Sequence, residues 1–210
     1  MSLWIWLGIA AILALIYGAA YSWRDTTGGL RSAVKTASVL LLAGAGTMCD
    51  APALIVLGLV LGALGDLCLS RPGTSAFLAG MAAFAAGHLA YAFYFWGMPG
   101  SFGLWGPLAL LLLAATTEAW LAPRTGALRW PVRGYVVVIT LMGLAALRVD
   151  VGLILTGAAL FILSDVLLAL HLFVFPKAKL RPLMAMALWP CYWGGQVLIL
   201  LGALGAVSLA

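Results

Sequence analysis

Charge is what this sequence has least of. Only 8% of its 210 residues are Asp, Glu, Lys or Arg, against about 25% in a soluble domain, so a water-soluble fold would lack the polar surface it needs. Histidine and cysteine are fewer still, at two and three residues. The cysteines (Cys49, Cys68 and Cys191) have no paired spacing, which argues against both a disulfide framework and a thiolate metal site. His88 and His171 stand far apart, with neither HxxxH nor HExxH spacing. No metal or other cofactor is expected. The alternating ten-residue segments of a membrane barrel are absent, as is the GxSxG elbow of a serine hydrolase.

What is there is apolar. Hydrophobic residues make up 65% of the chain, and the mean hydropathy is +1.16. A bilayer core takes roughly 20 apolar residues per helix. Runs of that kind lie at about 3–21, 33–48, 52–69, 75–96, 103–121, 132–147, 151–174 and 182–205. The breaks between them carry turn chemistry, such as "CDAP", "SRPGT", "GMPGS" and "APRTG". The expected fold class is all-α: a polytopic bundle of eight transmembrane helices forming one domain over residues 1–210. The first segment lacks a basic leader and a good cleavage site, so it is expected to be retained as a helix.

The net charge of +5 reflects topology. Alternate loops and their helix edges hold Arg24, Arg31, Lys35, Arg71, Arg124, Arg129, Arg133, Lys177, Lys179 and Arg181, while the opposite loops hold only Arg148. Excess Lys and Arg in short loops marks the cytoplasmic face. Both termini are therefore expected outside, and no nucleic-acid partner is expected.

That orientation gives each polar residue a depth, at about 1.5 Å per helical residue. Asp66 falls about 7–8 Å from the inner end of the third helix and Asp165 about 13–14 Å from that of the seventh. His88 lies near mid-membrane, and Tyr192 and Gln196 share one face of the last helix. Lys35, Tyr135 and Glu118 lie near inner helix ends. The polar groups thus converge on the inner half of the membrane, as a pocket open toward the cytoplasmic leaflet.

Most of these residues have an ordinary structural role available to them. Asp66 is close enough to the surface to pair with Arg71, and Glu118 to face Arg124 or Arg133. His88, Tyr192 and Gln196 suit hydrogen bonding between helices, and His171 suits the interface. Asp165 is too deep for such a role, since a charge at mid-membrane costs about 2.5–3.5 kcal/mol even on insertion scales. "LGDLCLS" (64–70) and "LSDVLLA" (163–169) also echo each other, suggesting two parallel four-helix halves. A proton-coupled or small-molecule transporter would use the same Asp/His cluster, but it needs access from both faces.

The motifs resemble those of the YhhN family of membrane proteins. They are Lys35 early in helix two, "GDLCL" with Asp66, "FAAGHLAY" with His88 and Tyr91, "PVRGY" with Tyr135, "FILSDVLLAL" with Ser164 and Asp165, and "YWGGQ" with Tyr192 and Gln196. Thr36 stands where the family usually has proline, and Cys191 where threonine is usual. The resemblance implies a lysoplasmalogenase, an enzyme that splits the vinyl ether bond of a lysophospholipid within membrane lipid. It implies catalytic roles for Asp66, Asp165 and His88. Substrate contacts are implied for Lys35 (the phosphate), Tyr91, Tyr135, Ser164, Tyr192 and Gln196. Asp165, the deeper carboxyl, is expected as the acid and Asp66 as its ionised partner. The expected location is the bacterial inner (cytoplasmic) membrane.

Overall fold

The structure, a computed structural model, describes residues 2–24, 28–175 and 179–208, without the side chain of the last of these. Eight α-helices follow one another among the described residues: α1 (Leu3–Ala20), α2 (Gly29–Met48), α3 (Ala53–Leu69), α4 (Thr74–Gly97), α5 (Trp105–Trp120), α6 (Arg129–Leu147), α7 (Gly152–Ala169) and α8 (Arg181–Ser208). Two 3₁₀ turns, Ala122–Arg124 and Gly126–Leu128, link α5 to α6, and a π turn over Leu170–Val174 extends α7. Of the basic loop residues, Lys177 lies outside the described residues.

The apolar runs mark these helices closely, with one systematic difference. α2 starts at Gly29 and α6 at Arg129, several residues before the expected 33 and 132. Their first turns are polar (Arg31 and Ser32; Arg129 and Arg133), so hydrophobicity begins later than the backbone hydrogen bonds do. Among the described residues six helical stretches are long and apolar enough to cross a membrane, and α3, at 17 residues, is a shorter apolar helix. α2 is in neither group; it carries Arg31 and Lys35 besides Ser32, Thr36, Ser38 and Thr47. The protein is an all-helical integral membrane protein.

Close helix approach is made through glycine. The most extensive helix contacts are α3 with α4 and α7 with α8, the third and fourth helices of each half suggested by the sequence echo. In the first pair the Tyr91 ring lies over Gly58, and the Phe84 ring lies 2.6 Å from where a Cβ on Gly65 would stand. In the second, a Cβ on Gly157 would stand 2.8 Å from the carbonyl oxygen of Gly195. Without a hydrophobic drive between helices in lipid, such small-residue contacts provide the packing.

At one end of the bundle the α4–α5 and α6–α7 loops are joined. Gly100 and Val149 form an antiparallel bridge, and the Arg148 guanidinium donates to the Trp96 carbonyl at 2.8 Å. The lone cation on that side is therefore a loop tie. α5 is the exception to the packing: it has no buried residue and contacts chiefly α6. Arg133 Nε donates to Glu118 Oε1 at 2.8 Å across these two helices, the flanking pair that the sequence allowed for Glu118.

Candidate active site

The polar residues of the sequence motifs fall into three hydrogen-bonded groups. The first is built on α2, α3 and α8. Asp66 is 1% exposed and holds two partners, Lys35 Nζ at 2.8 Å from Oδ1 and the Tyr192 hydroxyl, which donates to Oδ2 at 2.8 Å. Arg71 is not its partner, because Lys35 reaches it from inside the bundle. Lys35 also lies 5.8 Å from the Tyr17 ring and 5.9 Å from that of Trp189. Its ammonium group is therefore engaged by a carboxylate and two aromatic faces. Desolvating both charges is costly, and only a close pair with further hydrogen bonds offsets it.

The second group joins α4, α6 and α7. The Tyr135 hydroxyl donates to Asp165 Oδ2 at 3.1 Å, and His88 Nε2 lies 3.0 Å from that hydroxyl and 3.3 Å from the same Oδ2. With the Tyr135 proton given to Asp165, Nε2 must be the donor on the imidazole. His88 Nδ1 is then a buried acceptor without a hydrogen-bond partner.

The third group is a single bond between α4 and α8, in which the Tyr91 hydroxyl donates to Gln196 Oε1. Gln196 is wholly buried, as is Tyr91, and its Nε2 would stand 2.7 Å from a Cβ on Gly62. Gly62 is thus what lets the amide lie between α3 and α8. Ser164, next to Asp165, bonds back to the Phe161 carbonyl at 2.7 Å and so has no base as partner.

Phe161 separates the first two groups. Its ring packs edge-on against His88 at 4.5 Å on one side and Tyr192 at 5.3 Å on the other. Phe84 also packs on Tyr192, at 5.7 Å. Phe84 belongs to the "FAAGHLAY" motif, whereas Phe161, Tyr17 and Trp189 carry no local signal in the sequence, being single aromatics among many in apolar helices.

The second group borders a cavity. It measures about 110 Å³ and is walled chiefly by α4, α5, α6 and α7, with Asp165, Tyr135, Thr117 and Thr140 as polar residues on its mostly apolar lining. Among the described residues no three His, Cys, Asp or Glu side chains gather as a metal-binding group.

Residues 30–203 match the YhhN family. Lysoplasmalogenase TMEM86A of Bos taurus is 36% identical over 71% of this chain. The chain spans 64% of the length of that relative. No solved structure matches. By the match over most of its length, the chain belongs to the YhhN family.

Proposed function

We propose that the protein is a membrane-embedded hydrolase that cleaves the vinyl ether bond of lysoplasmalogens, giving a fatty aldehyde and a glycerophospho-headgroup. Kinship with a relative named lysoplasmalogenase supports this. The observation that carries it is a carboxyl group, Asp165, set in the wall of an apolar cavity, where an alkenyl chain meets a proton donor.

The chemistry runs in three steps. Asp165 gives its proton to the outer vinyl carbon; the C=C π pair forms the new C–H bond, and positive charge develops on the inner carbon and ether oxygen. Water adds to that inner carbon and returns a proton to the Asp165 carboxylate, leaving a hemiacetal. The hemiacetal loses its hydroxyl proton and its bond to the glycerol oxygen, which takes up a proton as the aldehyde leaves. Positioned acids of this kind contribute about 10²–10⁴-fold.

Tyr135 and His88 hold one Asp165 oxygen, leaving the other to carry the proton. Asp66, paired with Lys35, is the proposed negative charge on the far side of Phe161, where a preorganised charge stabilises the developing cation. Lys35 therefore serves Asp66. Tyr192, Tyr91 and Gln196 position that carboxylate and α8, and Ser164 supports the backbone beside Asp165.

The same proposal includes the membrane setting. Eight spans form one domain, with both termini outside. The cavity faces the cytoplasmic leaflet of a bacterial inner membrane, as the basic loops dictate. Mass spectrometry of the purified protein incubated with a panel of lysolipids tests the function. Aldehyde release from the vinyl ether lysolipid alone is the expected result; cleavage of ester lysolipids only would replace it with another hydrolase activity.

A further inference from the structure

We propose that the seam between α5 and α6 is a lateral portal, through which a membrane lipid passes sideways from the bilayer to the Asp165 cavity, and that the Glu118–Arg133 pair latches it. The use of the portal rests on the hydrolase reading above; the portal itself is argued from packing.

A second cavity, of about 480 Å³, lies along this seam and is lined by α5 and α6 alone. Its lining includes Leu111, Val137 and Leu141, which are exposed on the outside of the bundle. Ala114, Thr117, Val136 and Thr140 line both cavities. These four residues are thus the partition between the bilayer side and the Asp165 side, and none is larger than valine. Its two hydroxyls tie nothing across it. Thr117 donates to the Ala114 carbonyl at 2.6 Å and Thr140 to the Val136 carbonyl at 2.7 Å, each within its own helix. Among the described residues, the side-chain hydrogen bonds that cross the seam are those of Arg133 to Glu118. Those two side chains are 27% and 51% exposed, and exposed ion pairs hold weakly. Glu118 directly follows Thr117, and Arg133 lies one turn before Val136, so the latch sits beside the partition on both helices.

The two ends of the seam are pinned. At the start of α5, a Cβ on Gly106 would stand 2.9 Å from Leu147 Cδ2, and one on Gly143 would stand 2.7 Å from Leu110 Cδ2. At the other end the turn after α5 is packed into the bundle, with Leu121, Ala122 and Thr125 buried. Between these pins α5 has no buried residue and a cavity on each side of its contact with α6. Segments with few buried contacts open at low cost. The seam therefore parts at the partition, not at its ends.

The test uses the full protein in lipid nanodiscs, with Cys49, Cys68 and Cys191 replaced by alanine. A small apolar aryl diazirine, added to the bilayer and flashed at increasing delays, reports access without any hydrolysis. It should label Met81 and Ile162, which line the Asp165 cavity. Joining Glu118→Cys to Arg133→Cys with a short bis-methanethiosulfonate should slow that labelling several-fold and stop vinyl ether turnover. A thiol reductant should restore both, and before joining the pair should label at least as fast as the parent. Ala114→Phe, at the partition, should slow labelling, and Val136→Ala should speed it. Ala119→Phe, exposed and outside both linings, should do neither.

Unchanged labelling in the joined pair, or labelling insensitive to both Ala114→Phe and Val136→Ala, overturns the portal. Turnover that persists while labelling is blocked places lipid entry elsewhere and overturns it too. If Ala114→Phe does not fold, the reversible cross-link and Val136→Ala still decide. A parent without vinyl ether turnover would remove the hydrolase reading alone, and the labelling rates would still decide the portal.

Discussion

Lys35 and Asp66, thirty-one residues apart on neighbouring helices, meet as a 2.8 Å ion pair in which the carboxylate is 1% exposed and the lysine side chain 16%. This pair explains how α2 can carry a charge into the bundle. It also gives each oxygen of the buried carboxylate a partner, Lys35 Nζ at Oδ1 and the Tyr192 hydroxyl at Oδ2.

The first prediction follows from that pair. Lys35→Met leaves Asp66 with Tyr192 as its sole partner, and breaking a buried pair costs about 3–5 kcal/mol. The double variant Lys35→Met/Asp66→Asn removes both charges and should recover most of that loss. Denaturant unfolding in detergent measures both. A single variant as stable as the parent would mean that the pair contributes nothing.

Tyr135 carries the second prediction. Its hydroxyl is what His88 and Asp165 share, at 3.0 and 3.1 Å. Tyr135→Phe should lower vinyl ether turnover by about 10²-fold, the scale for losing one preorganised donor, with little change in melting temperature. His88→Gln keeps an N–H near the position of Nε2 and should retain more activity than His88→Ala. The reverse order would show that His88 acts through its ring rather than through this hydrogen bond.

A third prediction concerns packing at Gly62. A methyl group there would stand 2.7 Å from Gln196 Nε2 and 3.4 Å from the Tyr192 hydroxyl. Gly62→Ala should therefore destabilise by about 1–3 kcal/mol, the usual cost of overpacking. Adding Gln196→Ala should relieve part of it. Thermal unfolding followed by tryptophan fluorescence reports both, and strictly additive losses would place the strain elsewhere.

The helices were legible because lipid-facing and buried residues are both apolar, so the runs stand out against turn chemistry. Their polar first turns were not, since Arg31 and Arg129 extend a helix without extending its hydrophobicity. The polar residues were legible by scarcity: Asp66, His88, Asp165 and Gln196 are conspicuous among leucines and alanines. Which of them touch was not. Lys35 meets Asp66, and Tyr135 meets Asp165, through distances of 31 and 30 residues that no helical period encodes. Phe161 was invisible for the opposite reason, since only its position between His88 and Tyr192 sets it apart from the other aromatics.

Topology gives the fourth prediction. Reporter fusions after residues 50, 100 and 150 should read outside, and those after 28, 73 and 127 inside, as the loop charges require. The Gly100–Val149 bridge already puts the loops near 100 and 150 at one end of the bundle, so these two fusions must agree with each other. Opposite readings at 100 and 150 would contradict the fold, whereas a uniform reversal of all six would only turn the cavity toward the other leaflet.

The last prediction separates the roles of the two aspartates. Asp165 borders the cavity and Asp66 does not, so the proposed acid and the proposed fixed anion should fail differently. Asp165→Asn removes the transferable proton and should lower turnover by at least about 10²-fold. The fold should survive, since an amide still accepts the Tyr135 hydrogen bond without a charge in the membrane. Asp66→Asn should also lower turnover by about 10²-fold, but with lost stability, because it leaves Lys35 as a buried cation without its counter-charge. Adding Lys35→Met to Asp66→Asn should restore stability and leave turnover low. The Asp66→Asn/Asp165→Asn double variant should turn over little more slowly than the worse single one, since groups that act as a unit are not additive. Near-normal hydrolysis by Asp165→Asn would remove the acid from the mechanism. Recovery of activity together with stability in Lys35→Met/Asp66→Asn would make the ion pair purely structural, and leave Asp165, Tyr135 and His88 as the whole of the chemical site.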